Sequence, residues 1–213
     1  MVVLLAFFPP TRSVVEKGWA VLREAVAVSR AVEARRAQVE EYAARYGISE
    51  ALAAGIIDAA EKERIEVDLA FRLVRVESEF KETAVSPVGA LGLTQLMPAT
   101  ADELQPGITR EQILHRETNL RLGFRYLRML LRMYDGDVTE ALHAYNRGMG
   151  TVARIRARGG DPANGYASKV LGRRGASPVR PGVRPPDTTV LFHPPLGAPP
   201  LHGMAPARLP SSF

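Results

Sequence analysis

Apolar residues recur at helical spacing through most of this chain, and this periodicity is the feature that most limits the folds open to it. From Ile48 to Ser168 the pattern is helical throughout, and the alternation typical of a β-strand is not evident. The predicted helices are one opened by Ser49, one over Val67 to Phe80, one capped by Thr109-x-x-Gln112, and two over Asn119 to Tyr134 and Val138 to Asn146. The sequence therefore predicts an all-α domain over residues 48–171.

Residues 13–47 are predicted to form a helical extension in front of this domain. Ser13 opens the extension with a capping box that includes Glu16. Its regularly spaced apolar residues are Val15, Trp19, Leu22 and Val26. The heptad-like run ends at Arg35 after about two repeats, fewer than the roughly three or four that indicate a coiled coil. We therefore expect this helix to pack on its own domain or to extend from it, with binding to a partner as the alternative.

The composition changes at both ends of the chain. Residues 172–213 hold ten of the 16 prolines and show no periodicity, so we expect a flexible, disordered tail. Residues 1–12 begin with an apolar run but lack a basic start and an A-x-A site, so they make a poor secretory signal. A signal remnant and an unstructured terminus are both consistent with them. No stretch reaches the ~18 to 20 apolar residues of a membrane-spanning helix.

The positive charge of the chain is concentrated in the tail. Of the formal net charge of +5, +4 comes from residues 172–213, where five arginines face one aspartate. Phosphate neutralisation needs a basic face on the folded part, so we expect no nucleic-acid partner, although clustered arginines in residues 121–132 keep that alternative open. The chain has no cysteine, and its four histidines lack metal-ligand spacing, so no metal or organic cofactor is expected.

Two glutamates near the end of one predicted helix differ in their expected surroundings. Helical geometry places Glu77 over the apolar residues Ala70, Leu73 and Val74. The same geometry places Glu79 next to Arg72 and Arg75, and such charged neighbours are typical of a solvated helix face. Loss of water raises the pKa of a carboxyl above its ordinary ~4.3, and such a group serves as a general acid. A structural glutamate whose carboxylate reaches water is the alternative for Glu77.

Three motifs follow one another along the chain. They are Arg75-Val76-Glu77-Ser78-Glu79-Phe80, the segment from Ser86 to Ala101, and Ala144-Tyr145-Asn146-Arg147-Gly148, with Gly165-Tyr166 after them. Over about residues 64–171 the sequence resembles the catalytic domain of soluble lytic transglycosylases, the SLT domain of glycoside hydrolase family 23. That family is related in fold to goose-type lysozyme, so the resemblance implies a lysozyme-like helical domain.

The resemblance also implies roles for individual residues. Glu77 resembles the single catalytic glutamate of the family, and the residues that resemble the lining of its glycan cleft are Ser86, Gln95, Tyr145, Asn146 and Tyr166. In the implied reaction Glu77 protonates the oxygen between N-acetylmuramic acid and N-acetylglucosamine, while the 2-acetamido group of the substrate stabilises the cationic centre. Glu77 then takes the proton of the muramic acid 6-hydroxyl, and a 1,6-anhydro ring closes without water.

The sequence departs from the family pattern at two places. Thr94 stands where the family usually has methionine, which we expect to change the polarity of the cleft wall. Asp161-Pro162-Ala163-Asn164-Gly165 precedes Tyr166, where the family often shows an acid and a threonine. The motifs contain no second carboxylate of a glycosidase pair, since Asp102 and Glu103 are better explained as charges at the start of the helix after Pro98.

We therefore expect a peptidoglycan lytic transglycosylase that acts on glycan strands in the bacterial cell envelope, periplasmic or exported. One alternative keeps the fold and lets water attack, as in goose-type lysozyme. Another is a module that binds peptidoglycan without cutting it, although binding alone does not require a desolvated acid at Glu77. The oligomeric state does not follow from the sequence.

Overall fold

Residues 12–172, the part of the chain that the computed structural model describes, form nine helices and no β-strand. The helices are α1 Arg12–Tyr46, α2 Glu50–Lys62, α3 Val67–Ser78, α4 Pro98–Leu104, α5 Arg110–Leu114, α6 Arg116–Met133, α7 Val138–Arg147, α8 Met149–Ala157 and α9 Tyr166–Leu171. The predicted all-α class is confirmed. Most of the predicted signal segment and tail falls in residues 1–11 and 173–213, outside the described residues. None of the described helices is long and apolar enough to cross a membrane.

The helix ends follow local signals in the sequence. Ser49 Oγ accepts a hydrogen bond from the Leu52 N–H at 3.2 Å and caps α2, as predicted. Thr109 and Gln112 form the predicted capping box of α5. The helix that contains Glu77 ends at Ser78 rather than at Phe80, because Glu79 and Phe80 have positive φ angles of 51° and 63°. A left-handed residue cannot continue a right-handed helix, so the prediction overran this helix by two residues.

The last part of α1 packs on the domain. Tyr42 and Ala43 are buried, and Tyr42 stacks on Phe71 of α3 with ring centroids 4.4 Å apart. Arg35 forms ion pairs with Asp58 and Glu61 near the end of α2. The predicted packing residues of the extension are exposed instead, namely Trp19, Leu22 and Val26 at 58%, 56% and 49%. The packing prediction is wrong for them, because the 13-residue α2 pairs with only part of the 35-residue α1. Helix α1 also begins at Arg12, before the Ser13 that was expected to cap it.

Helix α6 lies at the centre of the domain, because its side chains enter two separate apolar clusters. Leu120, Phe124 and Leu127 join the cluster that contains the buried faces of α2 and α3. Leu122 and Leu130 join a second cluster with residues of α4, α5 and α7. A helix that is apolar on two sides is typical of a buried element, so α6 connects the two halves of the core.

Asn119, fully buried on α6, holds the loop between α3 and α4. Its Oδ1 accepts hydrogen bonds from the Thr94 N–H and from the Thr94 hydroxyl, both at 2.8 Å. Its Nδ2 donates to the carbonyl oxygens of Leu91 at 2.9 Å and Ile113 at 3.0 Å. A Cβ atom at Gly92 would lie 2.4 Å from that Nδ2, so the close approach of loop and helix requires glycine there.

Candidate active site

Glu77 lies on the last turn of α3, with its side chain over a fully buried apolar stripe. Ala70, Leu73 and Val74 have no exposed surface, as the helical spacing predicted. Burial raises the pKa of Glu77 from 4.5 to about 7, against the smaller opposite effect of a hydrogen bond from Tyr166. A carboxyl group with this pKa is protonated in part of the molecules near neutral pH and can donate or accept a proton.

Tyr166 is the hydrogen-bond partner of Glu77, although 89 residues separate them. It is the first residue of α9, which packs on α3, and its hydroxyl donates to Glu77 Oε1. The backbone reaches this position through Gly165, whose φ of 80° is left-handed. Burial and the charge of Glu77 raise the pKa of Tyr166 well above its ordinary value, so the phenol remains a donor.

Tyr145 of α7 lies close enough to Glu77 for the carboxylate charge to act on it. Burial and, secondly, that charge raise the pKa of Tyr145 well above its ordinary value. Its hydroxyl donates to the Thr94 carbonyl at 2.9 Å, and its ring packs against Tyr126 with centroids 5.3 Å apart. Tyr145 therefore joins α7 to the loop that follows α3, and the structure brings together Glu77, Tyr145 and Tyr166.

The remaining residues that were predicted to bind glycan make other contacts. Ser86 Oγ accepts from the Ala90 N–H at 2.9 Å. Gln95 Nε2 donates to the carbonyl oxygens of Ala84 at 3.3 Å and Gly92 at 2.9 Å. These bonds shape the loop from within. Within residues 12–172, Ser86, Gln95 and Asn146 form no hydrogen bond with Glu77, so their roles in glycan binding stay predictions.

Glu79 and Thr94 have surroundings that differ from those expected. Glu79 is exposed and pairs with Lys81 at 3.0 Å rather than with Arg72 or Arg75, because α3 ends before it and the helical alignment is lost. Thr94 does not form part of a cleft wall. Its side chain is fully buried beside Asn119 and Gly123, where a Cβ atom on the glycine would lie 2.3 Å from Thr94 Oγ1. Its polarity serves the buried hydrogen bonds of the loop.

The acids after Pro98 also differ from expectation. The first turn of α4 contains no acid, so Asp102 and Glu103 do not sit at its start. Asp102 Oδ1 instead accepts from the Gly107 N–H at 2.8 Å and closes the turn after α4. In the part of the chain that the structure covers, no group of three or more His, Cys, Asp or Glu residues is arranged to hold a metal ion.

Three polar residues that the sequence analysis did not single out shape this region. Ser78, next to Glu77, is buried, and its hydroxyl contacts the carbonyl oxygens of Leu93 at 2.8 Å and Val74 at 3.1 Å. Asn119 holds the same loop from the other side. Asn164 Nδ2 donates to Asn146 Oδ1 at 2.7 Å. A polar residue inside the apolar pattern of α6 was the available signal for Asn119. Ser78 stands in the first motif and Asn164 in the segment that departs from the family pattern, but the sequence assigned neither of them a role.

The profile of the transglycosylase SLT domain family matches residues 54–165, which is more than half of the chain. The chain belongs to this family. The resemblance that the three motifs indicated is thereby confirmed. The matched region contains all of the predicted site residues except Tyr166, which follows the last matched position directly.

Relatives with curated names share part of this SLT domain. The soluble lytic murein transglycosylase of Salmonella typhimurium is 37% identical over 93 residues, which cover 39% of this chain and 14% of the relative. The membrane-bound lytic murein transglycosylase F of Histophilus somni is 33% identical over 116 residues, covering 48% and 23%. The peptidoglycan transglycosylase gp16 of Escherichia phage T7 is 34% identical over 95 residues, covering 43% and 7%.

A solved structure is also similar to the SLT domain. The lytic transglycosylase Slt of Pseudomonas aeruginosa is 30% identical, with a TM-score of 0.49 over 55% of this chain and 22% of that one. This chain thus matches only 14% of the length of soluble murein transglycosylases from Salmonella typhimurium and Escherichia coli.

Proposed function

We propose that this SLT domain is a peptidoglycan lytic transglycosylase that cleaves the bond between N-acetylmuramic acid and N-acetylglucosamine without water. The observation that carries the proposal is the half-buried Glu77, whose pKa is raised to about 7 and which accepts a hydrogen bond from Tyr166. The names of the matched relatives support the same substrate, since they are murein and peptidoglycan transglycosylases.

Glu77 performs two proton transfers in the proposed reaction. In the first, the protonated carboxyl gives its proton to the glycosidic oxygen, so that N-acetylglucosamine leaves as an alcohol. The acetamido carbonyl of the muramic acid residue stabilises the positive charge at C1. In the second, the carboxylate takes the proton of the 6-hydroxyl as O6 attacks C1, which forms the 1,6-anhydro ring and restores the acid. Tyr166 holds Oε1 in place throughout by its hydrogen bond.

Among residues 12–172, no other carboxylate affects the pKa of Glu77, which favours this scheme over one in which a second carboxylate activates water. Asp102, the acid in the neighbouring sequence, is engaged with the Gly107 N–H. Glu79 is exposed and pairs with Lys81. We propose an envelope location for the protein as well, because its substrate lies there and because the matched relatives include membrane-bound enzymes.

The products of digestion test this proposal. Purified protein incubated with peptidoglycan is expected to release disaccharide-peptides that end in 1,6-anhydromuramic acid, lighter by one water than the products of hydrolysis. Mass spectrometry distinguishes the two directly. Reducing ends as the main product would replace the lyase with a goose-type hydrolase. Binding to peptidoglycan without any cleavage would leave a binding module.

The pH dependence of the reaction tests the role of Tyr166. Because the first step needs protonated Glu77, kcat/KM is expected to fall as the pH rises above about 7. The Tyr166 hydrogen bond stabilises the carboxylate and lowers its pKa, so Tyr166→Phe is expected to move that fall to higher pH. Rates on peptidoglycan between roughly pH 5 and pH 9 give the profile.

Tyr46→Phe is the control for this profile, because Tyr46 lies in the aromatic cluster of α1 and α3, with its ring 5.1 Å from Phe71. It removes a tyrosine hydroxyl elsewhere on the domain and is expected to leave the profile in place. A Tyr166→Phe profile that coincides with that of the unchanged protein, or moves to lower pH, contradicts the role given to Tyr166.

A further inference from the structure

Asn164 lies in the loop between α8 and α9, and its side chain joins two residues of the candidate site. Its Oδ1 accepts a hydrogen bond from the backbone N–H of Tyr166 at 3.2 Å. Its Nδ2 donates to Oδ1 of Asn146 at 2.7 Å. The loop before it is closed by a similar bond, from the Ala163 N–H to Asp161 Oδ1 at 2.9 Å. Asn164 therefore connects the turn that carries Tyr166 to the end of α7.

Hydrogen-bond logic fixes the orientation of both amides. A backbone N–H can only donate, so the Asn164 atom that faces Tyr166 must be the oxygen. The other atom of that amide is then the nitrogen, which can only donate, so Asn146 must present its own oxygen to it. The Asn146 Nδ2 takes no part in this hydrogen bond. Asn146 is exposed, and among residues 12–172 its side chain makes no other hydrogen bond, so this nitrogen faces solvent as a donor.

We propose that Asn164 determines specificity in this site by fixing the Asn146 amide with its nitrogen toward the substrate. This inference rests on the proposed function, because it assigns Asn146 to the glycan cleft. A glycan hydroxyl can either donate or accept, whereas a carbonyl oxygen can only accept. A fixed donor at Asn146 therefore favours a carbonyl, and the carbonyl class that every sugar of peptidoglycan carries is the acetamido group.

Asn164→Asp reverses the polarity of this contact without removing the turn. One carboxylate oxygen still accepts from the Tyr166 N–H, while the other can only accept and so requires Asn146 to rotate and donate. Asn146 then presents its oxygen to the substrate. We expect KM on soluble peptidoglycan fragments to rise roughly 5- to 10-fold, the loss of about one hydrogen bond. We expect kcat and the pH profile to stay close to those of the unchanged protein, since Tyr166 keeps its place.

A double-mutant cycle separates this role from a general loosening of the loop. If Asn164 acts through Asn146, the double variant Asn146→Ala, Asn164→Asp has the same KM as Asn146→Ala alone. Ala163→Asp is the control for the added charge, because Ala163 is the exposed neighbour of Asn164 and its side chain has no hydrogen-bonding group; the KM of this variant is expected to stay within about 2-fold of the unchanged value. Equal effects of Asn164→Asp in both backgrounds, or an unchanged KM, overturn the proposal.

Retention on insoluble peptidoglycan gives a readout that needs no turnover. In a Glu77→Gln background, Asn164→Asp is expected to weaken retention by the same factor as it raises KM, while Ala163→Asp leaves retention as it was. If the unchanged protein neither cleaves nor binds peptidoglycan, the proposed function itself fails. If the unchanged protein cleaves peptidoglycan but Asn164→Asp changes neither retention nor KM, only the role proposed for Asn164 fails.

Discussion

Glu77→Gln is expected to remove most of the turnover, by roughly the 10²- to 10⁴-fold that general acid–base catalysis contributes or by more. Glutamine keeps the size of the side chain and can still accept a hydrogen bond from Tyr166, but it neither gives nor takes a proton. Binding of peptidoglycan should therefore survive. Turnover is measured as release of anhydro products, and binding as retention on insoluble peptidoglycan.

The same substitution is expected to change stability in a pH-dependent way. The pKa of Glu77 is raised in the folded state, from 4.5 to about 7. Below pH 4.5 Glu77 is protonated in both the folded and the unfolded state, so its burial does not reduce stability. As the pH rises from 4.5 to about 7 the carboxyl ionises first in the unfolded state, so the free energy of unfolding falls. The full cost above about pH 7 is roughly 3 kcal/mol. Glu77→Gln lacks this titration, so its melting temperature should exceed that of the unchanged protein at neutral pH and approach it near pH 4.5.

Glu79→Gln is the matched control, because it changes the same functional group one turn away from the stripe. Glu79 is exposed and pairs with Lys81, and an exposed ion pair contributes only about 0.2 to 1 kcal/mol. Its turnover should stay within a few-fold of the unchanged protein. The assignment of the acid is wrong if Glu79→Gln is the inactive variant, or if Glu77→Gln is inactive because it unfolds.

The contrast between these two glutamates shows what the sequence can predict. The helical period alone placed Glu77 over Ala70, Leu73 and Val74, and these three are fully buried. The caps at Ser49 and Thr109 were equally predictable, because a cap depends on residues within one turn. The helical period gave the wrong ion-pair partner for Glu79. Helix α3 ends early at a left-handed residue, and the spacing of residues in the sequence does not predict where such a residue occurs.

The contacts between distant segments could not be predicted. Tyr166 reaches Glu77 across 89 residues, and the family motif suggested its membership of the site but not the hydrogen bond itself. Asn164 belongs to the segment before that tyrosine that departs from the family pattern, and only the folded loop shows its hydrogen bond to Asn146. In α1, the apolar residues from Trp19 to Val26 do lie in a helix, but they are exposed because α2 is much shorter than α1 and pairs with another part of it.

Thr94 shows how a family departure can be misread from the sequence alone. A polar residue in place of methionine beside the catalytic motif was expected to face the cleft. In the fold, Thr94 faces inward, where Asn119 accepts from both its N–H and its hydroxyl. Burying a threonine hydroxyl is tolerated because it finds a partner. The Thr94 carbonyl remains available and accepts a hydrogen bond from the Tyr145 hydroxyl. The buried hydrogen bonds of Thr94 therefore help to position Tyr145 in the site.

Asn119→Ala is expected to be the most destabilising of the substitutions considered, because two buried backbone groups lose their hydrogen-bond partner at once. They are the Thr94 N–H and the Ile113 carbonyl oxygen. The Leu91 carbonyl oxygen also loses its bond to Asn119 but still accepts from the Leu96 N–H at 3.0 Å. At about 1 kcal/mol or more for each unsatisfied group, the free energy of unfolding falls by at least roughly 2 kcal/mol. For a domain of this size that lowers the melting temperature by about 4 to 8 °C. Thermal unfolding followed by circular dichroism measures the change.

Thr118→Ala is the control for this loss, because Thr118 is the neighbouring α6 residue and lies outside the buried hydrogen bonds described for Asn119; it should change stability by no more than about 0.5 kcal/mol. Asn119→Asp adds a second distinction. It keeps an acceptor for Thr94 but sets an oxygen against the carbonyls of Leu91 and Ile113, so it should also destabilise the fold, and more as the pH rises and the new carboxyl ionises. If Asn119→Ala melts within about 2 °C of Thr118→Ala, the side-chain hydrogen bonds of Asn119 do not hold the loop beside Glu77, and other contacts, such as that of Ser78 with Leu93, must support it.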